Sequence, residues 1–518
     1  MLSSSLPARI KSLFTVACGS RMSAQPRIAS LAAVAIPIVL FVSGCAVGPD
    51  YKRPDAPLAE RYTPQPLPAQ TAEAGVKGGE TQRFVHDMDI PGQWWTLFHS
   101  KQLDDLIVQA LKANPDVEGA QAALKGAWEN VYAQQGAYFP SVDANLNPTR
   151  QKISDAVTSP LANNSNVFNL HTAQVSVAYS PDVFGGNRRQ VESLKAQADW
   201  QRFQLEATYL TLTSNVVAAA VEEAAIRGQI AATKRIIEIQ SQTLDLMQRQ
   251  YALGQIATAD VAAQEAALAQ SQAALPPLEK QLSQQRDLLA RLVGRFPSDT
   301  ITETFELSAL QLPQELPLSL PAKLVAQRPD IRAAEEQLHA ASADIGVTIA
   351  NRLPNITLSA NAGYTAASIG QLFAPGNGFW TLAGNMTQPI FQGGTLLHRQ
   401  RAAEAAYDQA AAQYRSTVLT AFQNVADTLH AIQSDADAVK AAVAAERAAA
   451  KSLAIVRSQL ELGDVSPLAL LTAEQTYQQA MISLVQALAN RYADAAALFQ
   501  ALGGGWWNRS DVPAGIGG

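Results

Sequence analysis

The chain is written twice. Asn114-Pro115-Asp116 returns as Arg328-Pro329-Asp330, Phe139-Pro140 as Leu353-Pro354, Gly185-Gly186 as Gly393-Gly394, and Leu253-Gly254 as Leu462-Gly463. The offset is about 210 residues each time, far longer than the period of a stacked solenoid. Each half carries the same order of patterns: helix, strand, loop, strand, a very long helix, a tight turn and a returning helix. A unit with two strands and a helix of about 67 residues, about 100 Å long, cannot bury its own surfaces. It reads as a segment of a larger tube.

The N-terminus is not part of that repeat. Arg21 and Arg27 precede an apolar stretch from Ile28 to Val42, which runs into Val42-Ser43-Gly44-Cys45. A basic region, an apolar core and small residues before a cysteine resemble a bacterial lipoprotein signal. On this reading residues 1–44 are a signal peptide, with Met22 able to serve as its start, and Cys45 becomes the lipidated first residue of the mature chain. Several acyl chains give stable anchoring where one is marginal. The only other cysteine is Cys18, so the mature chain has no disulfide in an oxidising compartment. Nothing after Cys45 reaches about 18 uninterrupted apolar residues, so no transmembrane helix is expected. A net charge of -6 with no basic block excludes ordinary nucleic-acid binding, which needs clustered Lys and Arg.

Residues 45–92 are rich in Pro, Ala and Gln and read as an extended tether or wrap. The first repeat spans 93–300, the second 301–505, and 506–518 form a tail. Within the repeats, residues 141–150 and 171–180, then 355–365 and 378–388, alternate apolar with polar. Val142, Ala144 and Leu146, and Val175, Val177 and Tyr179, share one parity, as do Ile356, Leu358, Ala360, Ala362 and Tyr364. Such period-2 segments predict strands, each long enough to cross a bilayer at a tilt. Four strands cannot close a barrel, and an open edge in lipid leaves unpaired backbone groups that cost several kcal/mol each. Copies of the chain must therefore pool strands. Three copies supply 12, an even number that leaves a water-filled lumen.

From Asn187 to Leu253 there is no proline and one glycine, Gly228. From Thr395 to Leu462 there is neither. Val191, Ala198, Leu205, Leu212, Ala219 and Ile226 fall seven apart. Ile230, Ile237, Leu244 and Tyr251 do the same after a shift of four. That shift predicts a stutter, which locally unwinds a supercoil. Shorter helices at 258–293 and 116–139 together match one long helix in length, so two of them stacked end to end can lie beside it. Their junctions near Gly294–Pro321, Trp94 and Gly503 predict a belt partway along the tube.

Cys45-x-x-Gly48-Pro49-Asp50-Tyr51-x-x-Pro54 resembles the start of TolC-like outer-membrane factors of the OprM/NodT type. So do Trp94-Trp95-x-x-Phe98 with Leu103-x-x-Leu106-Ile107, and the ending Ala501-Leu502-Gly503-Gly504-Gly505-Trp506. The resemblance covers nearly the whole mature chain. It implies a mainly α fold with a membrane β-barrel: a homotrimer whose 12-stranded barrel in the outer membrane continues into a long 12-helix barrel with an equatorial belt. It further implies a duct that accepts small molecules from an inner-membrane pump, of the resistance-nodulation-division class, through a periplasmic adaptor. Two other readings use the same features: an exit duct for protein secretion, and a structural envelope lipoprotein that does not conduct.

No enzyme signature is present. The six histidines (His86, His99, His171, His339, His398 and His430) show no HExxH spacing, and no CxxC occurs, so neither a metal nor a cofactor is expected. Gly393-Gly394 lacks the Lys-Ser/Thr of a phosphate loop. Gly185, Gly186, Gly393 and Gly394 are better suited to a sharp strand-to-helix bend. The helix-hairpin tips are the candidate sites. One carries Leu253, Gly254, Thr258 and Asp260, the other Leu462, Gly463, Asp464 and Ser466. Gly254 and Gly463 suit the positive φ that ends a helix. Thr258 and Ser466 suit N-caps, with Pro467 at the first helical position. The resemblance makes these tips the adaptor contact and the periplasmic aperture, six in a ring. Family apertures are narrowed by carboxylates in the second repeat, where this chain has Ala469 and Thr472. Leu468 and Leu471 there supply either a hydrophobic closure or helix packing.

Overall fold

The computed structural model describes residues 46–57, 59–156, 165–299 and 301–509; the signal segment and Cys45 lie outside them. The first repeat contains α1 (Lys101–Ala113), α2 (Pro115–Gln135), β2 (Ser141–Lys152), β3 (Val167–Tyr179), α3 (Gly186–Ala252), α4 (Thr258–Ala273) and α5 (Leu275–Leu292). The second contains α6 (Pro321–Gln327), α7 (Pro329–Ala350), β5 (Asn355–Ala366), β6 (Gly378–Thr387), α8 (Thr395–Leu462) and α9 (Pro467–Ala501). Two short strands, β1 (Arg83–His86) and β4 (Glu315–Leu318), pair in parallel. The segment expected to be an extended tether or wrap thus wraps the protein and also adds a strand to the second repeat.

The four long strands form one antiparallel sheet in the order β2-β3-β5-β6. Its register aligns the alternating pattern across all four. Ala144 faces Val175, Val175 faces Ala362 and Ala362 faces Trp380. One row away run Val142, Val177, Ala360 and Leu382. Asp143, Ser176, Asn361 and Thr381 align on the opposite face, because successive side chains of a strand point to opposite sides. The sheet is therefore apolar on one face and polar on the other. The apolar face is bare within the chain: Val142, Leu146, Trp380, Leu382 and Met386 are all at least 65% exposed. Strands β2 and β6 each have one unpaired edge.

The helices α3 and α8 contain 67 and 68 residues. Their lengths follow from an absence of proline and from Ala- and Gln-rich composition. The expected helix over 258–293 is broken at Ala274, where Pro276 and Pro277 enter the first turn of α5, since proline has no N–H to continue the ladder. Its counterpart α9 runs unbroken for 35 residues. Helix α3 lies between α2 and α7 near the sheet, and between α4–α5 and α9 further down.

The predicted stutter is absent from the buried seam. Burial continues every seventh residue from Val191 through Ile226 to Thr233, Gln240 and Met247. Ile237 and Leu244 are only half-buried and Tyr251 is exposed. Polar residues hold the register. The Thr233 hydroxyl donates to the Gln229 carbonyl at 2.8 Å, and the Gln240 carbonyl accepts from Gln264 Nε2 at 3.3 Å. A hydropathy pattern misses a seam that continues through buried polar residues.

The belt is the largest hydrophobic core. Trp94, Trp95, Phe98, Phe305, Phe499 and Leu502 pack there against the middles of α3 and α8. The Trp94 and Phe499 rings stack at 5.3 Å. Arg491, fully buried beside this core, donates to Thr71 Oγ1 and the Glu80 carbonyl, which ties the wrap to α9.

Candidate functional site

The two hairpin tips close in the same way. After α3, Gly254 takes φ +74° and the Gln255 N–H bonds the Gln250 carbonyl at 2.9 Å. After α8, Gly463 takes φ +80° and the Asp464 N–H bonds the Gln459 carbonyl at 2.9 Å. Both are six-to-one closures around a left-handed glycine. A Cβ on either glycine would meet nothing within 4 Å, so the requirement is conformational rather than steric.

The expected hydroxyl caps do not form. Thr258 is the first residue of α4, and Ala257 occupies the cap position. The Asp260 carboxylate reaches back to accept the Ala257 N–H at 3.1 Å, so Asp260 takes the capping role expected of Thr258. Ser466 is at the cap position of α9, and its side chain makes no capping bond. Pro467 opens α9 as expected.

Leu253, Leu462 and Leu468 are 73%, 76% and 66% exposed, so each tip presents a bare apolar side chain. Leu471 is half-buried, and exposed Thr472 turns its hydroxyl back onto the Leu468 carbonyl at 2.9 Å. The packing residue at this end of α9 is Leu470, 1% exposed, which joins Ile236, Ile239, Leu453 and Leu460 with Val465 alongside. Leu460 and Val465 are therefore core residues of the tip. On the first turns of α9, Leu468 is the exposed leucine.

Just inside this cluster Glu474 is fully buried. It accepts from Thr243 Oγ1 at 2.8 Å and Gln264 Nε2 at 3.2 Å, joining α3, α4 and α9. Burial pushes its carboxyl above the usual range, opposed by those two hydrogen bonds. Sequence reasoning missed it, because a single Glu on a helix reads as surface. A second acidic feature lies nearer the belt. Asp435 of α8 is pushed up to about 7 by burial and by its hydrogen bond to Asp494 of α9, with Arg491 pulling the other way.

At the sheet end, Gly185 and Gly394 cap α3 and α8 in the left-handed region, at φ +77° and +84°. Gly393 is also left-handed, and Gly186 is the first residue of α3. The structural counterpart of Gly185 is thus Gly394, one position on from the match that the order of the two Gly-Gly pairs suggests. The wrap crosses this bend. Val47 N–H bonds the Phe184 carbonyl at 3.1 Å. Arg189 of α3 donates to the Val47 carbonyl and pairs with Asp50 at 2.7 Å. Tyr51 stacks on His339 of α7 at 4.3 Å. Hydrogen bonding to Glu336 and Glu192 raises the His339 pKa against the effect of burial. Among the described residues no helix is long and apolar enough to cross a membrane, and no cluster of His, Cys, Asp and Glu is placed to hold a metal.

Residues 106–295 and 320–504 match the family described as outer membrane efflux protein. The chain belongs to this family. It is 28% identical over 476 residues to a toluene efflux pump outer membrane protein, TtgC, of Pseudomonas putida, covering 91% of this chain and 94% of that protein. It is 28% identical over 460 residues to a pyoverdine export outer membrane protein, OpmQ, also of Pseudomonas putida, covering 86% and 95%. The solved outer-membrane channel OprN superposes with a TM-score of 0.79 at 26% identity, over 89% of this chain and all of that one. The two matched stretches correspond to the two repeats. As a family member the chain is an outer-membrane efflux channel, a TolC-like duct rather than a member of an enzyme family.

Proposed function

We propose that three copies of this chain form a lipid-anchored duct whose sheets close into a 12-stranded barrel across the outer membrane. The observation that carries this is the sheet: apolar and bare on one face, polar on the other, with both edges unpaired. A four-stranded sheet in lipid needs partners for β2 and β6, and identical copies supply them head to tail. The polar row of Asp143, Ser176, Asn361 and Thr381 would line the water-filled lumen, and the Val142 and Trp380 rows would face lipid. Helices about 100 Å long would carry the duct into the periplasm.

Cys45 is the lipidation site in this reading. Its support is that Ala46, the next residue, packs against Gly185 at the strand-to-helix bend, where the bilayer boundary would fall. The tip residues Leu253, Gly254, Thr258, Asp260, Leu462, Gly463, Asp464 and Ser466 would meet a periplasmic adaptor, which couples the duct to a pump of the resistance-nodulation-division class. Leu468, exposed on the first turn of α9, would narrow the aperture as an apolar ring, with Leu471 and Thr472 behind it. Opening would shift the packing of the α8–α9 hairpin between two states.

Planar-bilayer recording on the purified protein, with its mass measured in detergent, tests the reading. A trimer that conducts is expected, and Leu468→Ser should raise its conductance. A single chain that passes no ions would leave only a structural role. A cysteine at Gln255 should crosslink to the adaptor.

A further inference from the structure

The long sheet carries very little charge, and its charges are sorted by face and by end. Across β2, β3, β5 and β6 the acidic and basic side chains, histidine aside, are Asp143, Arg150 and Lys152. Asp143 belongs to the polar row with Ser176, Asn361 and Thr381. Arg150 and Lys152 have the opposite parity. They continue the face of Val142, Ala144 and Leu146, through Pro148, toward the loop end of β2. Two cations thus stand at the end of a face that is otherwise apolar and bare.

Their position fits the rim of an apolar band. From Val142 to Lys152 the strand runs about 34 Å along its own axis, at about 3.4 Å per residue, and rises about 26 Å at a tilt of about 40°. The apolar band of a membrane barrel is about 25 Å tall. Aromatic rings mark the approach to this rim. Trp380 lies in register with Ala144 through Val175 and Ala362, and Tyr364, one row nearer the loops, meets Phe373 edge-on at 5.3 Å.

The other end of the sheet is built differently. Where the strands run into helices, Phe139, Ile390 and Phe391 are exposed. The bases nearby are engaged within the chain: Arg188 pairs with Asp182 at 3.3 Å, and Arg352 bonds the Gln400 side chain. At the loop end, residues 153–170 and 367–377 add a single charge, Asp155. Lys152 Nζ lies 3.9 Å from it, with side chains 64% and 76% exposed, so this pair is worth little. The Asp155 carboxylate accepts the Asn166 amide at 2.7 Å. Arg150 is exposed and donates to Asn169 Oδ1 at 3.5 Å across the strand pair, which occupies one of the five N–H donors of its fork.

We infer that Arg150 and Lys152, with the Asn169 amide beside them, bind the phosphate groups of the phosphorylated glycolipid that forms the outer leaflet of the outer membrane. This goes beyond the duct reading and rests on it, since that reading puts the loop end of the sheet outside and the helices in the periplasm. Residues two apart on a strand share a face at about 7 Å, close enough for both side chains to reach one headgroup. An Arg fork holds a phosphate through two parallel N–H bonds, and a Lys ammonium holds it as a point charge. Their aliphatic stems can lie along the apolar band while the charged ends reach the headgroups. The sheet is then as asymmetric as the membrane around it, with bare rings toward the inner leaflet and cations toward the outer. Basic residues on an exposed edge strand also discourage edge-to-edge pairing, but that role carries no preference for phosphate.

Native mass spectrometry of the full chain in detergent, titrated with bis-phosphorylated lipid A, tests the site. The parent trimer should hold lipid A as discrete adducts, and lipid A stripped of its phosphates should bind about ten-fold more weakly or worse. Arg150→Gln with Lys152→Gln should lose about ten-fold in affinity for lipid A, and Lys234→Gln, an exposed base on α3, should lose none. Arg150→Lys keeps the charge without the fork and should fall between. Phosphatidylglycerol should bind more weakly than lipid A. Trimer mass and conductance are recorded on the same samples. A double variant that forms conducting trimers and binds lipid A as the parent does would overturn the site and leave the channel reading standing. Equal binding of phosphate-free lipid A or of phosphatidylglycerol would overturn the assignment to the phosphorylated glycolipid. If the double change blocks assembly, Arg150→Lys decides, and an unchanged affinity there would overturn the role of the fork. A parent that stays a single chain and passes no ions would overturn the channel reading and the site together.

Discussion

Helices α3 and α8 have nearly the same length, the same kind of cap and the same kind of turn, yet α3 buries more than twice as many side chains as α8. The difference is not one of hydrophobic periodicity. It arises because α3 sits between two repeats, whereas α8 sits at the end of the chain's arc. A duplicated unit has one interior junction and two free ends, so one helix is a wall on both sides and the other on one. The stripe that α8 leaves bare is mostly alanine, where α3 carries Arg189, Ile236, Ile239 and Phe203. Small residues let a neighbouring backbone approach closely, so the free end is shaped differently from the internal junction it mirrors.

The largest expected contrast is in the tip core. Ile236→Ala should cost about 2–5 kcal/mol, because it empties a fully buried site among Leu460 and Leu470. Ile455→Ala on α8, half-exposed, should stay within about 0.5 kcal/mol in the unassembled chain. Urea titrations of both variants in detergent check this, and equal costs would break the comparison.

Next in size, Ala196→Trp should destabilise the chain by about 1–3 kcal/mol through overpacking, since Ala196 is 1% exposed. The counterpart Ala405→Trp should leave the melting of the single chain unchanged and impair trimer formation. Thermal melts beside mass photometry separate the two effects.

The tips should respond alike, which sharpens the contrast with the helix faces. Gly254→Ala and Gly463→Ala should each cost about 1 kcal/mol, from the left-handed backbone alone. A cost at one tip only would show that the two turns are not equivalent.

The last contrast is a slope with pH from an acidic pair that the second repeat carries and the first lacks. In the alignment set by the cap glycines, Asp435 and Asp494 correspond to Ile226 and Gln285, neither of which titrates. Asp435 is raised from 3.8 to about 7. A raised carboxyl favours its neutral form in the fold. Its stabilisation is therefore complete below about pH 4 and is lost as pH climbs through about 7. Asp435→Asn should melt with the parent near pH 4 and above it at pH 8. Parallel melting curves across that range would remove Asp435 as the cause.

Much of the architecture was legible in the residues. Strand positions came within a few residues, since the alternation in Val142–Leu146 and Ile356–Tyr364 is strict. The two long helices were bounded by Gly185, Leu253, Gly394 and Leu462. The tip glycines were legible because only one backbone conformation ends a helix in so short a turn. The pairing of β1 with β4 was not, because a parallel contact between segments from different halves of the chain leaves no local trace. Nor were the roles of Asp260 and Thr258, which differ by which group reaches the free N–H of Ala257.

By itself, then, the sequence determined the duplication, the element lengths and the need for more strands than one chain owns. These follow from period, proline placement and backbone hydrogen bonding, all of which are local. Only the tertiary structure decided that the α3 seam runs unshifted through Thr233 and Gln240, that Glu474 is buried at the tip, and that Gly185 answers to Gly394 rather than Gly393. It also decided which face of α8 is left open. Burial of a helix face is set by whatever lies across it, and here the covering elements are supplied by distant parts of the chain.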